Sequence, residues 1–216
     1  SDHRLPHGFH LAEDLLAGEK IDPADVDLVC SLNRDHALDG GLEAFRVPPG
    51  SIDSVPHAAV LACLGSVNGR ARVLQALTGA RTDDVQIAQV YLKHHPIVDV
   101  GELRGVAARI AQMTDPDAQV RALNTLAGQY LSDRESLDEL MRLFPHARSL
   151  GVQRAIAGIF IRADYGAIDR DELVGVLRQL HRSGGAACRR NRHDLENRAG
   201  AVLYCLFQHP IDDLAS

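Results

Sequence analysis

The residue types best suited to chemistry are two cysteines and two histidines toward the end of the chain. Cys188, His193, Cys205 and His209 read C-x4-H followed by C-x3-H. Thiolate and imidazole are zinc ligands, and zinc takes four such groups in tetrahedral geometry. The spacing is not that of a known zinc knuckle. Cys205 also falls where a core residue is expected, and buried cysteine behaves as a small hydrophobe. We therefore predict no bound metal and no cofactor.

A second chemical feature is a concentration of arginine between residues 178 and 198, opposed only by Asp194 and Glu196. Guanidinium groups suit carboxylate or phosphate partners. One interpretation is a docking patch for an acidic partner, or for the acidic N-terminal part of a second copy. The other is a solvated loop, which Ser183-Gly184-Gly185 favours. The loop arginines are Arg182, Arg189, Arg190 and Arg192.

Signatures of catalysis are weak elsewhere. His94-His95 can attract a metal, but at a helix end such side chains more simply face the negative end of the helix dipole. The segment Gly65-Ser66-Val67-Asn68-Gly69 has neither the Gly-Lys-Ser/Thr of a P-loop nor the order of a nucleophile elbow. No nucleophile with its base stands out among the 11 histidines. The sequence leaves enzymatic activity undecided and favours a protein without it.

The elements that must position these residues are helices. Asp115 is a good N-cap, Pro116 suits the first helical position, and Asp117 complements the helix dipole. Apolar residues then recur at three- and four-residue steps, as they do before the turn. The two stripes predict an αα-hairpin that needs neighbours to bury its apolar faces. They comprise Leu103, Val106, Ala107, Ile110 and Met113, and then Val120, Leu123, Leu126, Ala127 and Tyr130.

The segment from Asp117 to Gly128 resembles a HEAT repeat, in which a turn with Asp is followed by Val-Arg and small or leucine residues. The position of Val120 in this segment recurs in similar second helices, and the five corresponding residues are Val55, Val85, Val120, Val152 and Leu195. The resemblance implies an all-α fold, a right-handed α-α superhelix (HEAT-like solenoid) of about five helical hairpins. Residues 1–53 are predicted to form a divergent helical N-terminal cap. Residues 54–216 are predicted to form one continuous solenoid domain.

In such a solenoid the second helices line the concave face, so their polar residues are the candidate binding surface. The alternative for each of them is a merely solvated side chain and, for Arg121, a structural ion pair with Asp83 or Asp117. The candidate residues are Gln86, Gln89, Lys93, Arg121, Asn124 and Gln153.

The net charge and the spacing of the cysteines limit the classes of partner and the compartment that we expect for this protein. The net charge is −6, and residues 1–60 carry 11 acidic against 4 basic side chains, which disfavours nucleic-acid binding. No apolar run is long enough to cross a membrane. The four cysteines are widely spaced, so we expect no disulfide framework and a cytoplasmic location.

These features favour a non-catalytic scaffold or adaptor that binds a protein or peptide on its concave face, alone or within a longer chain. The alternatives are a HEAT-like enzyme resembling bilin lyases or alkylpurine glycosylases, and a metal-dependent regulator built on the Cys/His set. The acidic charge and the absence of Trp count against a glycosylase, which needs a cationic cleft with aromatic side chains. The sequence does not determine the oligomeric state.

Overall fold

A computed structural model describes residues 4–18, 20–39, 50–129, 131, 133–143, 149, 151–152, 155–156 and 158–159. Within these residues the chain is helical and has no strand, which confirms the predicted all-α class. The helices are α1 (Arg4–Ala17), α2 (Pro23–Leu32), α3 (Val55–Cys63), α4 (Val67–Ala76), α5 (Thr82–His94), α6 (Val100–Gln112), α7 (Pro116–Ala127) and α8 (Arg134–Leu143). A 3-10 turn spans Ser51–Asp53.

The helix starts follow local capping chemistry. The Asp22 carboxylate accepts from the amides of Ala24 and Asp25 at 2.9 and 3.1 Å, while Asp25 accepts from the Asp22 amide at 2.9 Å. This reciprocal pair is a capping box that starts α2. At α7, the Asp115 carboxylate accepts from the amide of Asp117 at 3.1 Å, and Pro116 occupies the first turn. The predicted entry of α7 is thus confirmed.

The chain divides into two compact units, residues 1–97 and 98–216. The first contains α1 to α5, so the helices before residue 53 belong to the same unit as α3, α4 and α5. Helix α3 contacts α1, α2, α4 and α5, and seven of its nine residues are buried. A helix that is apolar all round must be enclosed on every side. The first unit is therefore built around α3.

Helices α3 and α4 pack at close range through a glycine. A Cβ atom on Gly69 of α4 would lie 2.6 Å from the Ala58 carbonyl oxygen and 2.9 Å from the Ala62 amide nitrogen of α3. Both neighbours are backbone atoms that cannot rotate away. Only glycine allows the two helix backbones to approach this closely.

A disulfide joins α2 to α3 between Cys30 and Cys63, whose Cα atoms are 4.7 Å apart. The expectation that widely spaced cysteines leave no disulfide is wrong for this pair. The packing of α2 on α3 brings together two residues 33 positions apart, which spacing alone does not reveal. Both residues are fully buried.

The second unit shows the predicted hairpin. Leu103, Val106, Ala107 and Ile110 of α6 are buried, as are Leu123, Leu126 and Ala127 of α7. The side-chain amide of buried Gln119 donates to the carbonyls of Ile110 and Met113, at 2.9 and 3.4 Å. This side chain adds hydrogen bonds to carbonyls at the end of α6, where the regular helical pairing stops.

A charged contact ties α6 to the start of α8. Arg104 donates from Nε and a terminal nitrogen to the two Asp133 carboxylate oxygens, at 3.0 and 2.9 Å. The amide and hydroxyl of Ser136 donate to the same carboxylate, at 3.0 and 2.9 Å. The Arg104 hydrogen bond is the main cause that lowers the pKa of Asp133, and the Ser136 bonds add to it.

In the second unit α6 contacts both α7 and α8, and in the first unit α3 is enclosed by four other helices. The solenoid with its predicted boundary after residue 53 stays a prediction. Among the described residues, the helices are too short or too polar to cross a lipid bilayer.

Gly69→Ala tests the close helix approach. Helix propensity alone would favour alanine by about 1 kcal/mol. We expect instead a loss of about 2 kcal/mol in the free energy of unfolding, because the new methyl group overpacks against the backbone of α3. Chemical denaturation followed by circular dichroism measures the change.

The matched control is Gly105→Ala within α6, where a Cβ would meet its nearest atom, at the end of the Arg109 side chain, only at 3.8 Å. This variant should gain about 0.5–1 kcal/mol. Equal gains in both variants would contradict the close packing of α3 on α4.

Asp133→Asn tests the charged contact. The lowered pKa of Asp133 means that its contribution is fully present above the unfolded value of about 3.9 and is lost as the pH falls through the lower folded value. We expect the variant to be about 1 kcal/mol less stable at pH 7, with the difference shrinking below about pH 4.

Chemical denaturation at a series of pH values measures this dependence. Glu135→Gln is the control, because Glu135 is 69% exposed and pairs with Arg104 only at 3.2 Å. It should change stability little. A gap between wild type and Asp133→Asn that persists unchanged in acid would contradict the assignment.

Candidate functional site

The predicted binding residues of the first unit lie along the outer side of α5. Gln86 and Lys93 are exposed and Gln89 is half-buried, whereas Val85, Ala88 and Leu92 of the same helix are buried. The predicted polar stripe therefore exists on α5.

The predicted residues of the second unit lie on α7, where Asn124 is exposed and Arg121 is half-buried. The alternative for Arg121, an ion pair with Asp83 or Asp117, stays open for Asp83, which belongs to the other unit. Within the described part of the second unit, Arg121 Nε is buried and has no hydrogen-bond partner. Because α5 and α7 belong to different units, the polar residues of α5 form a surface of the first unit and those of α7 a surface of the second.

The other predicted residues lie outside the described part of the chain. They are Gln153 of the concave set, Arg182, Arg189, Arg190 and Arg192 of the basic loop, and Cys188, His193, Cys205 and His209 of the Cys/His set. Their predictions stay untested.

Sequence reasoning missed a polar network centred on the segment that follows α2, which we call the Asn33–Asp39 turn. Asn33 is fully buried, and its side-chain nitrogen donates to the Asp39 carboxylate at 2.6 Å and to the Cys63 carbonyl at 2.7 Å. Its side-chain oxygen accepts from the Leu38 amide at 2.7 Å. Asn33 thus closes the turn on itself and attaches it to the end of α3.

The turn presents an imidazole held by a carboxylate. His36 Nδ1 lies 2.9 Å from Asp39 Oδ2, and the His36 side chain is 62% exposed. His36 also adopts a left-handed backbone conformation with φ of 57°, which is uncommon outside glycine. An Nδ1–H donated to Asp39 leaves Nε2 of the neutral ring free to accept a proton.

The turn requires a glycine in the neighbouring α3–α4 connection. Gly65 has φ of +92°, and a Cβ there would come within 3.0 Å of the Asp39 side chain. The segment from Gly65 to Gly69, which lacks the signature of a phosphate loop, therefore contains the end of the α3–α4 connection and the first turn of α4, and its first glycine makes room for Asp39.

The end of α5 packs beside this turn through His95. The His95 ring lies edge-on to His36, with centroids 5.7 Å apart, and is stacked on Tyr91 at 5.1 Å. Burial is the main cause that lowers the pKa of His95, and the positive fields of His36 and Arg70 act in the same direction. His95 Nε2 is buried and has no hydrogen-bond partner among the described residues.

Arg70 of α4 fixes the same end of α5. It donates to the Tyr91 hydroxyl at 3.1 Å and to the carbonyls of His95 and Pro96 at 3.0 and 3.2 Å. Carbonyls at a helix end lack internal partners, and a guanidinium can satisfy several of them.

His94 faces α2. Its Nε2 lies 2.8 Å from the carboxylate of Asp27, and this hydrogen bond is the main cause that lowers the pKa of Asp27. The expectation that the His94 and His95 side chains face the end of their own helix stays a prediction, because the contacts shown here are those of His94 with Asp27 of α2 and of His95 with Tyr91 and His36. No group of three or more metal-binding side chains is arranged around an ion in the described part of the chain.

A separate serine–histidine contact joins the start of α3 to the end of α1. His57 Nε2 lies 2.9 Å from the Gly18 carbonyl, which can only accept, so Nε2 carries the proton of the neutral ring. Nδ1 then accepts from the Ser54 hydroxyl at 2.8 Å. The contact satisfies polar groups at two helix ends and is best explained as structural.

Asn33→Asp tests the network around the turn. A carboxylate at this position cannot donate to Asp39 or to the Cys63 carbonyl, and it places a second negative charge against Asp39. We expect the free energy of unfolding at pH 7 to fall by at least about 2 kcal/mol.

The loss should shrink as the pH is lowered, because repulsion from Asp39 raises the folded-state pKa of the new carboxyl above its unfolded value. Asn68→Asp is the control at an exposed position in the first turn of α4 and should be neutral or slightly stabilising. A pH-independent loss would count against direct contact between position 33 and Asp39.

Comparison of the chain with models of protein families, with curated proteins and with solved structures finds no match.

Proposed function

We propose that this protein is a non-catalytic binding domain that recognises a protein or peptide partner. The observation that carries the proposal is the polar stripe of α5, on a helix that packs against α2, where the apolar side chain of Leu28 is 48% exposed. We call this surface the α2–α5 face and define it by Asp27, Leu28, Gln86, Gln89 and Lys93.

The face spans two helices that pack against each other. Asp27 of α2 bonds His94 of α5, and the field of Lys93 also lowers the pKa of Asp27. The exposed side of α2 therefore lies beside the C-terminal end of the α5 stripe. Leu28, the next residue, is 48% exposed.

This combination suits a protein partner. Leu28 offers apolar area, and the glutamine amides offer hydrogen-bond donors and acceptors. Lys93 offers a positive charge in a chain whose net charge is −6. Protein interfaces typically combine apolar contacts with a polar rim. In the second unit, Arg121 and Asn124 of α7 are proposed to have the corresponding role in the predicted solenoid.

The expected cytoplasmic location depended on an absence of disulfides, and the Cys30–Cys63 disulfide removes that reason for it.

The test removes the polar side chains of the α5 stripe. Wild type and the double variant Gln86→Ala/Lys93→Ala are immobilised and exposed to extract of the source cells, and captured proteins are identified by mass spectrometry. A purified candidate partner is then titrated by calorimetry. We expect the double variant to bind it at least about 10-fold more weakly, since a few interface residues carry most of the binding energy.

The matched control is Lys20→Ala/Gln75→Ala, which removes one lysine and one glutamine from exposed positions elsewhere in the first unit. It should bind as wild type does. Equal binding by all three proteins would exclude the α2–α5 face as the docking surface, and a loss shared by both variants would indicate a non-specific effect.

A further inference from the structure

The disulfide lies directly beside the polar network of the Asn33–Asp39 turn. Cys30 precedes Asn33 by one helical turn. The backbone nitrogen of Asn33 donates to the carbonyl of Val29, the residue before Cys30, at 3.2 Å. On the other side, the Cys63 carbonyl accepts from the Asn33 side chain at 2.7 Å. Asn33 is therefore held by backbone groups at both ends of the cross-link.

From Asn33 the contacts continue to the surface. Asn33 donates to one oxygen of the Asp39 carboxylate, and His36 is bonded to the other oxygen at 2.9 Å. The path runs from the buried sulfurs through Asn33 and Asp39 to an imidazole that is 62% exposed. Each step is a direct hydrogen bond or a covalent neighbour.

We infer that the Cys30–Cys63 bond is a redox-controlled brace that holds the Asn33–Asp39 turn, and with it the orientation of His36. With the bond formed, the Cys63 carbonyl is fixed relative to α2, and Asn33 can reach it and Asp39 at once. With the bond reduced, α2 and the end of α3 are held only by non-covalent packing. The Asn33 bond to the Cys63 carbonyl then loosens first, because it is the side-chain bond of Asn33 that joins the turn to α3. Its loss frees the Asn33 side chain and, through it, the Asp39 carboxylate that holds His36.

The bond forms by thiol–disulfide exchange with a small disulfide such as oxidised glutathione. The Cys30 thiolate attacks one sulfur of the oxidant and releases one glutathione thiolate. The Cys63 thiolate then attacks the Cys30 sulfur of the mixed disulfide and releases the second. In total the two protein thiols lose two protons and two electrons, and the oxidant gains both.

Two features indicate that the bond is retained once formed. Both cysteines are fully buried, so a reductant must wait for local opening. The cross-link also closes a loop of 33 residues, which restricts the unfolded chain. Such bonds persist in oxidising compartments and are rare in a reducing cytoplasm. The brace therefore predicts that the protein works in an oxidising compartment or is switched by transfer between two compartments.

The experiment uses the full chain carrying Cys188→Ser and Cys205→Ser, so that Cys30 and Cys63 are the only sulfhydryl groups. Protein purified without reductant is denatured, alkylated and digested for mass spectrometry. We expect a cross-linked peptide pair containing Cys30 and Cys63. Complete alkylation of both residues, with no cross-linked pair even after incubation with oxidised glutathione, overturns the proposal.

The imidazole protons of His36 and His57 are then followed by NMR before and after reduction with dithiothreitol. We expect reduction to shift the His36 resonances, while those of His57, which is bonded to Ser54 and Gly18, are unchanged. The melting temperature of the first unit should fall by about 10 °C or more.

Unchanged His36 resonances after verified reduction refute the brace. Equal changes at His36 and His57 also refute it, since they show a general loss of structure rather than release of the turn. Cys30→Ala/Cys63→Ala provides the independent check, because it should reproduce the reduced spectrum and no longer respond to dithiothreitol.

Discussion

The first unit depends on burying α3 on every side. This helix carries small and medium apolar side chains, with alanine at positions 58, 59 and 62, so neighbouring helices can approach its backbone. Gly69 of α4 meets that backbone almost directly, and the disulfide attaches α2 to its C-terminal end. In a chain with 4% aromatic residues and no Trp, close approach of small residues replaces the large side chains that fill most cores.

Because the helices pack closely, polar side chains from neighbouring elements form hydrogen bonds with the backbone groups at the helix ends. Helices that end inside a compact unit leave carbonyls and amides that need partners. Asn33 meets this need at the end of α3, Arg70 at the end of α5, and Gln119 at the end of α6. Each reaches from another helix or turn, so the same side chain that satisfies a helix end also fixes how two elements are arranged. The network around His36 is one case of this general device.

The exposed surface has a different character in the two places for which we propose a role. On the α2–α5 face, side chains project from regular helices and are constrained mainly by helix geometry. At the Asn33–Asp39 turn, His36 has a left-handed backbone and its ring is bonded to the Asp39 carboxylate. That carboxylate accepts from the buried Asn33 side chain and occupies the space left by Gly65. The first surface is suited to broad contact with a partner. The second has a defined geometry that depends on distant parts of the chain.

The sequence by itself determined where helices begin and which sides they bury. The cap at Asp115 and the buried positions from Leu103 to Ile110 of α6 were predicted correctly, because they depend on residues within four positions of each other. Only the tertiary structure decided that Cys30 bonds Cys63, that Asn33 reaches the Cys63 carbonyl 30 positions away, and that His94 meets Asp27 across 67 positions. These contacts depend on which helices pack together. Helical periodicity shows that a face must be buried but not which helix will cover it.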